Sequence, residues 1–365
     1  MRPIYLFLLC SSLLALTTCT QSNTTTTSGL ATTGLTNVKL QLQWTPQAQF
    51  AGYYAALAKG YYQAEGLNVT ILPGASNIVP QDVVQRGDAQ FGVAWLAKVL
   101  VSDETNAHLV NIAQIFQRSG TLQVSFTNEN ILTPKNLAGK KVGSWGFGQE
   151  WELYVALFLA GINPFEDVNI LPQNGTDMSQ LLDGSLDAAQ AETYNEYALL
   201  LETANPTTGK LYQPSDFNVL NMEQLGASML QDGIWANSDW LSQNESTAIS
   251  FLRATFKGWM YCRDNPEDCV NIVLQAQPNL KKNHQRWMMN EVNALIWPSV
   301  SNIGILQQDT WQVTVDLMIG LGSLLAQPIN SFRTDLAAKA LNGISGDKTG
   351  TSFQKQVIAI TPGGV

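Results

Sequence analysis

The sequence predicts an α/β protein whose two lobes have a similar build and face a common cleft. The chain has 365 residues and is 45% hydrophobic, which is enough to form two moderate cores. Residues 38–71 have the pattern of a strand, a helix and a second strand. A helix–turn–strand pattern at 80–95 returns at 178–197, and this repetition favours two related lobes over one.

The first of these units places a tryptophan where its opening strand ends. Apolar and polar residues alternate from Val38 to Trp44, and Pro46 then stops the strand because proline has no N–H for the ladder. The dense apolar run 50–64 predicts a helix, and alternation resumes after Gly66. Trp44 is therefore expected at the carboxyl edge of the sheet, where open α/β sheets bind ligands.

The repeated pattern also ends in aromatic or polar side chains. Its first copy, 80–94, finishes in an apolar strand followed by Trp95, and its second copy, 178–191, is followed by the polar and aromatic run 192–197. Each lobe thus presents a strand edge to the cleft, and the residues that follow the strands are the candidates for ligand contact.

A glycine-rich loop at 143–148 lies between a predicted strand and the predicted helix 150–160. Its glycines let the backbone turn sharply, and the free N–H groups at a helix start can hold an anion or a carbonyl oxygen. A dinucleotide-binding loop is disfavoured, because the glycine spacing differs and Glu150 and Glu152 put negative charge where a pyrophosphate would lie.

Composition argues against several classes of function. The net charge is -9 and only 13% of residues are charged, so nucleic acid and other polyanions are not expected as partners. The two histidines, His108 and His284, lack partners at ligand spacing, and no metal site or cofactor is predicted. The chain offers no Ser/His/Asp or Cys/His set, so a binding protein is favoured over an enzyme.

The N-terminus is predicted to be a targeting segment. Arg2 and the apolar run 4–16, which is too short to span a membrane as a mature helix, predict a secretory signal peptide over 1–19. The Leu-Thr-Thr triplet before Cys19 resembles the bacterial lipoprotein box, which implies lipidation of Cys19; cleavage elsewhere is the alternative. Residues 20–37 are polar without apolar periodicity and predict a flexible tether.

Two cysteines lie close together near the middle of the helical C-terminal half. Cys262 and Cys269 flank a turn between two helical runs, and such a corner brings its ends near each other. Because the signal peptide implies an extracytoplasmic location, the sequence predicts one local disulfide between them.

Several motifs together connect the chain to one family. They are Trp44-Thr45-Pro46, Gly52-Tyr53-Tyr54, Lys59-Gly60-Tyr61-Tyr62 with Glu65-Gly66-Leu67, the Gly-Lys-Lys-Val-Gly run 139–143, the run 192–197, Arg263-Asp264-Asn265-Pro266-Glu267 and His284-Gln285-Arg286-Trp287. With these motifs, residues 38–340 resemble the NMT1/THI5-like family of extracytoplasmic substrate-binding proteins of ABC transporters.

The resemblance implies a type II periplasmic-binding-protein fold, in which two α/β lobes are joined by two crossovers with a ligand cleft between them. The crossovers are expected near 127–133 and 216–228. Lobe 1 is then expected to comprise 38–128 and 220–342, lobe 2 to comprise 129–219, and residues 343–365 to form a flexible tail.

The family binds flat nitrogen heterocycles, and the candidate ligand residues suit that chemistry. Aromatic faces stack on planar rings, while amides and carboxylates address ring donors and acceptors. The predicted ligand-binding residues are Trp44, Tyr53, Trp95, Trp145, Glu150, Glu192, Tyr194 and Asn195. Each aromatic alone is about as compatible with core packing, and Glu192 can also serve as a latch between lobes or a contact for a permease.

The favoured ligand is riboflavin, with a formylaminopyrimidine-type thiamin precursor as the alternative. A phosphorylated pyrimidine needs a cation near the glycine loop, whereas the nearest lysines of that region lie on the preceding strand. The pyrimidine-forming enzymes of the family depend on a cysteine-rich iron motif that the chain lacks. A lipid-anchored monomer that serves a membrane permease and ATPase is therefore expected, and a sensor without transport is a further alternative.

Overall fold

The computed structural model describes residues 34–104 and 108–365. The predicted signal peptide, the lipidation site Cys19 and the tether up to residue 33 lie outside these residues. Residues from Leu35 to Val365 form one compact unit. Its first strand already begins at Thr36, inside the segment predicted to be a tether, because this stretch pairs with a neighbouring strand from Leu67 onward.

Lobe 1 contains a five-stranded mixed sheet in the order β2-β1-β3-β10-β4. Strands β2 and β3 run parallel to β1, and β10 runs antiparallel to both β3 and β4. The strand bounds are β1 (Thr36–Gln41), β2 (Leu67–Leu72), β3 (Phe91–Ala94), β4 (Leu109–Gln114) and β10 (Gly233–Asn237).

Lobe 2 is built from two smaller sheets joined by a single bridge. The sheet β8-β5-β9 is antiparallel, the pair β6-β7 is parallel, and Val142 on β6 bridges to Ala188 beside β8. The strand bounds are β5 (Thr121–Phe126), β6 (Lys141–Ser144), β7 (Asn169–Pro172), β8 (Ala189–Glu192) and β9 (Phe217–Asn221).

Strand pairing places the first crossover earlier than the sequence suggested. Strand β5 pairs with β8 and β9, so the chain leaves lobe 1 at 115–120 and not near 127–133. The boundary at residue 128 is corrected accordingly, because the sequence of a short strand such as β5 carries no mark of the sheet it joins. The chain returns to lobe 1 at 222–232, which overlaps the predicted second crossover.

The helices surround both lobes, and most of the C-terminal ones cover lobe 1. The long helix α8 has a non-helical residue, Asn244, whose side-chain amide donates to the carbonyl of Trp240 at 2.8 Å. The bounds are α1 (Ala51–Ala58), α2 (Tyr61–Ala64), α3 (Pro80–Gln85), α4 (Leu96–Asp103), α5 (Trp151–Leu159), α6 (Ser179–Leu182), α7 (Glu196–Leu201), α8 (Ser238–Asp264), α9 (Pro266–Ala276), α10 (Lys282–Ile296), α11 (Gln308–Gly320) and α12 (Thr334–Leu341).

The predicted helix 50–64 is interrupted, and its first part packs closely on α8. Gly60 adopts a left-handed conformation with φ of 71°, which separates α1 from α2. Gly52 on α1 lies against Trp259, since a Cβ atom there would stand 2.1 Å from the indole ring. Only glycine permits this approach, so α1 and α8 form the tightly packed centre of the lobe 1 core.

The corner between α8 and α9 contains the disulfide. Cys262 and Cys269 are bonded, with their Cα atoms 5.4 Å apart. The last 23 residues, expected to be flexible, are attached to the folded chain, and their second half lies along α10, where Gln356 and Ala359 are hydrogen-bonded to Asn290 and Asn283. Their Gly-, Ser- and Thr-rich composition suggested disorder, but backbone groups of this segment find side-chain partners on the helix.

Candidate functional site

Three elements of lobe 1 bring a buried carboxylate and a tryptophan together. Asp232, which directly precedes β10, is 1% exposed and accepts hydrogen bonds from the side-chain amides of Gln43 and Gln49 and from the indole N–H of Trp95. The last two bonds measure 2.9 and 3.0 Å. Trp95 follows β3, so its ring is fixed at the predicted edge of the sheet by a residue of the second crossover.

Two carboxylates of lobe 2 meet the crossovers on the opposite side. Glu192, at the end of β8, accepts from the hydroxyl of Thr121 at 3.2 Å and from the amide of Gln231 at 3.3 Å. Glu152, on α5, accepts from the hydroxyl of Ser119 at 2.8 Å and from the backbone N–H of Met229.

The amide of Gln231 links these groups into one network. Its oxygen accepts from the N–H of Gly120 at 2.9 Å, and its nitrogen donates to Thr121 as well as to Glu192. Each crossover therefore contacts the carboxylates of lobe 2 while Asp232 contacts lobe 1. We call the set Gln43, Gln49, Trp95, Ser119, Thr121, Glu152, Glu192, Gln231 and Asp232 the interlobe polar cluster.

Burial dominates the electrostatics of this cluster. It raises the pKa of Glu152 and of Asp232 to about 7, because a charged carboxylate loses its hydration inside the protein. The pKa of Glu192 is raised well above its ordinary value, by burial first and then by the neighbouring carboxylates Glu152 and Glu196. Carboxyl groups in this state can both donate and accept hydrogen bonds near neutral pH.

A lysine of lobe 1 reaches the same place. The ammonium of Lys98, on α4, lies 4.9 Å from the ring centroid of Trp95, a cation–π distance. Burial lowers the pKa of Lys98 to about 8, against the opposing effect of nearby carboxylates, of which Glu150 contributes most. The glycine loop touches this side chain, since a Cβ atom on Gly148 would lie 3.2 Å from Cγ of Lys98.

The N–H groups of the glycine loop donate to neighbouring groups of lobe 2. The N–H of Gly148 donates to the carboxylate of Glu150 at 2.9 Å, and the N–H of Trp145 donates to the amide oxygen of Gln190 at 3.3 Å. The indole N–H of Trp145 donates to the carbonyl of Gly175 at 2.9 Å. These contacts fix the loop on lobe 2 and occupy N–H groups that were candidates for an anion.

Two predicted ligand residues lie elsewhere than expected. Tyr53 is 1% exposed in the core of lobe 1, with its ring edge-on to Trp259 at 5.6 Å, because the α1–α8 contact encloses it. Asn195 faces α10, where its side-chain oxygen lies 2.9 Å from Nε2 of His284, and Nδ1 of that ring lies 3.0 Å from Glu202. Neither residue is a member of the interlobe polar cluster, although burial first and Asp232 second raise the pKa of Tyr53.

The remaining candidates border the cluster. Trp44 is half-buried against the lobe 1 core, with its carbonyl accepting from the N–H of Gly74 at 2.9 Å. Tyr194 is 3% exposed and packs edge-on against Phe116 of the first crossover at 6.2 Å. The pKa of Tyr194 is raised by burial first and then by Glu192 and Asp232.

Sequence reasoning missed the crossover residues Gln231 and Asp232 and the lysine on α4. The available signal was the Gln-Asp-Gly sequence immediately before an apolar strand, since strand ends were otherwise treated as candidates. Among the described residues, no group of three or more His, Cys, Asp or Glu side chains is arranged to hold a metal ion. Nor does any described helix have the length and apolar character needed to cross a membrane.

Comparison with solved structures identifies the fold. The periplasmic nitrate-binding protein NrtA from Synechocystis PCC 6803 superimposes with a TM-score of 0.65 at 16% identity, covering 90% of this chain and 92% of that one. The predicted fold class, two α/β lobes joined by two crossovers as in type II periplasmic-binding proteins, is confirmed.

Comparison with known sequences identifies relatives with different names. The riboflavin-binding protein RibY of Chloroflexus aurantiacus is 25% identical over 310 residues, which are 81% of this chain and 84% of that protein. The formylaminopyrimidine-binding protein of Halalkalibacterium halodurans is 22% identical over 244 residues, 67% and 71% of the two chains. A 4-amino-5-hydroxymethyl-2-methylpyrimidine phosphate synthase of Legionella pneumophila is 23% identical over 249 residues, 67% and 75%.

The family itself follows from a match that covers more than half of the chain. Residues 47–269 match the family described as NMT1/THI5 like, and they include both crossovers and the whole interlobe polar cluster except Gln43. The protein therefore belongs to the NMT1/THI5-like family.

Proposed function

We propose that the protein is the extracytoplasmic ligand-binding component of an ABC importer for a flat heteroaromatic vitamin, with riboflavin as the favoured ligand. The observation that carries the proposal is the convergence of Trp95, Asp232 and Glu192 from lobe 1, a crossover and lobe 2. A ligand held there contacts both lobes at once. It thereby stabilises the closed arrangement over the open one, which is how binding proteins of this fold capture cargo.

The cluster suits a planar ring with both donors and acceptors on its edge. Trp95 offers a large ring whose orientation Asp232 fixes. Around it stand the amide of Gln43, which uses its NH₂ group on Asp232 and keeps an acceptor oxygen, and carboxyl groups with raised pKa values, which can bond neutral polar groups. Riboflavin combines a broad apolar ring, an edge with alternating acceptors and a donor, and a polyol chain that can use the remaining amides.

A formylaminopyrimidine is the second candidate ligand. The relative of that name supports it. Lys98 also places a cation beside the glycine loop, which a phosphorylated pyrimidine precursor would need. The relative named a riboflavin-binding protein covers a larger share of this chain, and this supports the choice of riboflavin.

We place the protein outside the cytoplasmic membrane, anchored through a lipid on Cys19 and delivering its ligand as a monomer to a permease powered by an ATPase. The proposal assigns no catalytic step to the cluster. The alternative from another class of function is a pyrimidine-forming enzyme. The relative named a phosphate synthase supports this alternative. Mass spectrometry of either ligand after incubation with the protein would reveal turnover.

Titration of riboflavin with the purified protein, followed by quenching of flavin fluorescence, tests the ligand. We expect saturation with a Kd of about 1 μM or tighter, equivalent to about 8 kcal/mol. A formylaminopyrimidine is tested in parallel through the tryptophan fluorescence of the protein. Saturation by the pyrimidine alone would replace riboflavin as the ligand, and no response to either compound would overturn the ligand class.

A further inference from the structure

The C-terminal segment 343–365 begins on lobe 1 and is attached there by its backbone. The carbonyl of Thr349 accepts from the N–H of Ser299 at 2.8 Å, and the carbonyl of Lys348 accepts from the N–H of Ile303 at 2.9 Å. Gly350 lies against Trp297, because a Cβ atom at this position would stand 2.4 Å from the indole ring.

The segment then follows α10 from its C-terminal to its N-terminal end. Asn290 forms two hydrogen bonds of 2.8 Å with the backbone N–H and carbonyl of Gln356. Near the N-terminus of α10, the side-chain amide of Asn283 donates to the carbonyl of Ala359 at 2.6 Å. Side chains of the helix thus satisfy backbone groups that would otherwise need water.

The end of the segment lies on lobe 2. Ile360 packs against the apolar cluster of that lobe, whose members include Leu122 on β5 and Leu200 on α7. The N–H of Gly363 donates to the carbonyl of Glu202, just after α7, at 2.9 Å.

The penultimate residue fits between the two lobes. Gly364 is buried with φ of 70°, and a Cβ atom there would lie 2.7 Å from Cβ of His284 and 2.8 Å from Oε2 of Glu202. His284 is on α10 and Glu202 follows α7, so this glycine occupies the junction between a helix packed on lobe 1 and an element of lobe 2.

We propose that segment 343–365 is a non-covalent brace that limits how far the lobes open. Ahead of this segment, the described part of the chain passes between the lobes at the crossovers 115–120 and 222–232. Rotation about these crossovers moves α7 relative to α10, and the contacts of Ile360 and Gly363 then have to break. The brace therefore disfavours wide opening and keeps more molecules close to the closed arrangement, which a ligand that contacts both lobes stabilises.

The substitution Ile360→Asn tests the brace without any ligand. Removing the apolar contact should shift the balance between open and closed lobes about tenfold toward the open state. We expect a larger radius of gyration in small-angle X-ray scattering and about tenfold faster hydrogen exchange in a peptide that covers α7, with unchanged circular dichroism. Val357→Asn is the matched control, because Val357 is fully exposed on the same segment.

A second variant covers the case in which Ile360→Asn fails to fold. Asn283→Ala releases the carbonyl of Ala359 without altering the apolar cluster of lobe 2, and it should raise the radius of gyration in the same direction. The proposal is overturned if the folded variants scatter like the wild type. Faster exchange at α7 with an unchanged radius would also overturn it, because the segment would then merely cover α7. These readouts are independent of which ligand the protein binds.

Discussion

Replacing Asp232 by Asn is the sharpest perturbation of the candidate site. The side-chain carboxylate of Asp232 accepts hydrogen bonds from the amides of Gln43 and Gln49 and from the indole N–H of Trp95. These three side-chain partners all act as donors. The amide oxygen of Gln49 already accepts from Gln47 at 2.8 Å, so this side chain cannot simply turn over to offer an acceptor. An asparagine brings an NH₂ group of its own and opposes donor to donor.

The cost of this substitution follows from the orphaned donor. Asp232 is buried, so a displaced N–H finds no water, and an unpaired buried donor costs about 1–3 kcal/mol. We expect a loss of about 2 kcal/mol in the free energy of unfolding. If the freed group is the indole N–H, Trp95 loses its fixed orientation, and the affinity for a stacked ring falls about tenfold.

The matched control is Glu152→Gln, a buried acid in the same cluster with different partners. A glutamine oxygen can accept from the N–H of Met229, and its NH₂ can donate to the hydroxyl of Ser119, which accepts as readily as it donates. We therefore expect a change below about 1 kcal/mol at about pH 4.5, where Glu152 is protonated in the folded protein, and a gain in stability over the wild type as the pH rises toward 7. Urea denaturation and flavin quenching of both variants provide the measurement. Equal stability and affinity of wild type and Asp232→Asn would refute this account of the cluster.

Three further predictions concern the pH dependence of stability, the disulfide and the role of Trp44. Burial raises the pKa of Glu152 from 4.5 to about 7, so its contribution to stability is fully present below about pH 4.5 and is lost as the pH rises through about 7. Glu152→Gln should therefore flatten the pH dependence of the free energy of unfolding in urea titrations from about pH 4.5 to 8, and parallel curves for variant and wild type would contradict this. Reduction of the disulfide between Cys262 and Cys269, seven residues apart, should lower the free energy of unfolding by about 2.5 kcal/mol, measured with and without dithiothreitol; an unchanged urea midpoint would show that the bond does not constrain the chain. Trp44→Ala should weaken ligand binding more than it lowers the urea midpoint, since Trp44 is half-buried beside the site; comparable losses would assign it to the core.

The sequence predicted the strand–helix–strand units well because their information is local. In the first unit, the alternation from Val38 marks the first strand, and Gly66 after α2 marks the end of the helical part just before β2. Both signals lie within about thirty residues of chain. The assignment of β5 failed for the opposite reason. Leu122, Val124 and Phe126 alternate with polar residues and mark β5 as a strand, but this local pattern does not identify its partners, and only pairing with β8 and β9 decides its lobe.

The placement of the site residues depended on information that is not local. Trp95 and Glu192 could be selected because each directly follows or ends a strand, and both join the interlobe polar cluster. Tyr53 was indistinguishable in sequence from a ligand-facing aromatic, since its burial arises from Trp259 more than two hundred residues away. Asp232 was missed because crossovers have no periodic pattern, although their position at the hinge brings them against both lobes.

The charges around the glycine loop also depend on residues that are distant in sequence, and they bear on the choice of ligand. The glycine loop alone, with Glu150 and Glu152, argued against an anionic group, and that inference counted only charges of lobe 2. In the folded protein Lys98 of lobe 1 touches this loop at Gly148 and faces the ring of Trp95. A ring that stacks on Trp95 must therefore displace the ammonium or bond to it. If the ligand is a flavin, as proposed above, the carbonyl oxygens on its ring edge can accept from this ammonium, and Lys98 is then a partner of the ligand as well as a counter-charge for the carboxylates.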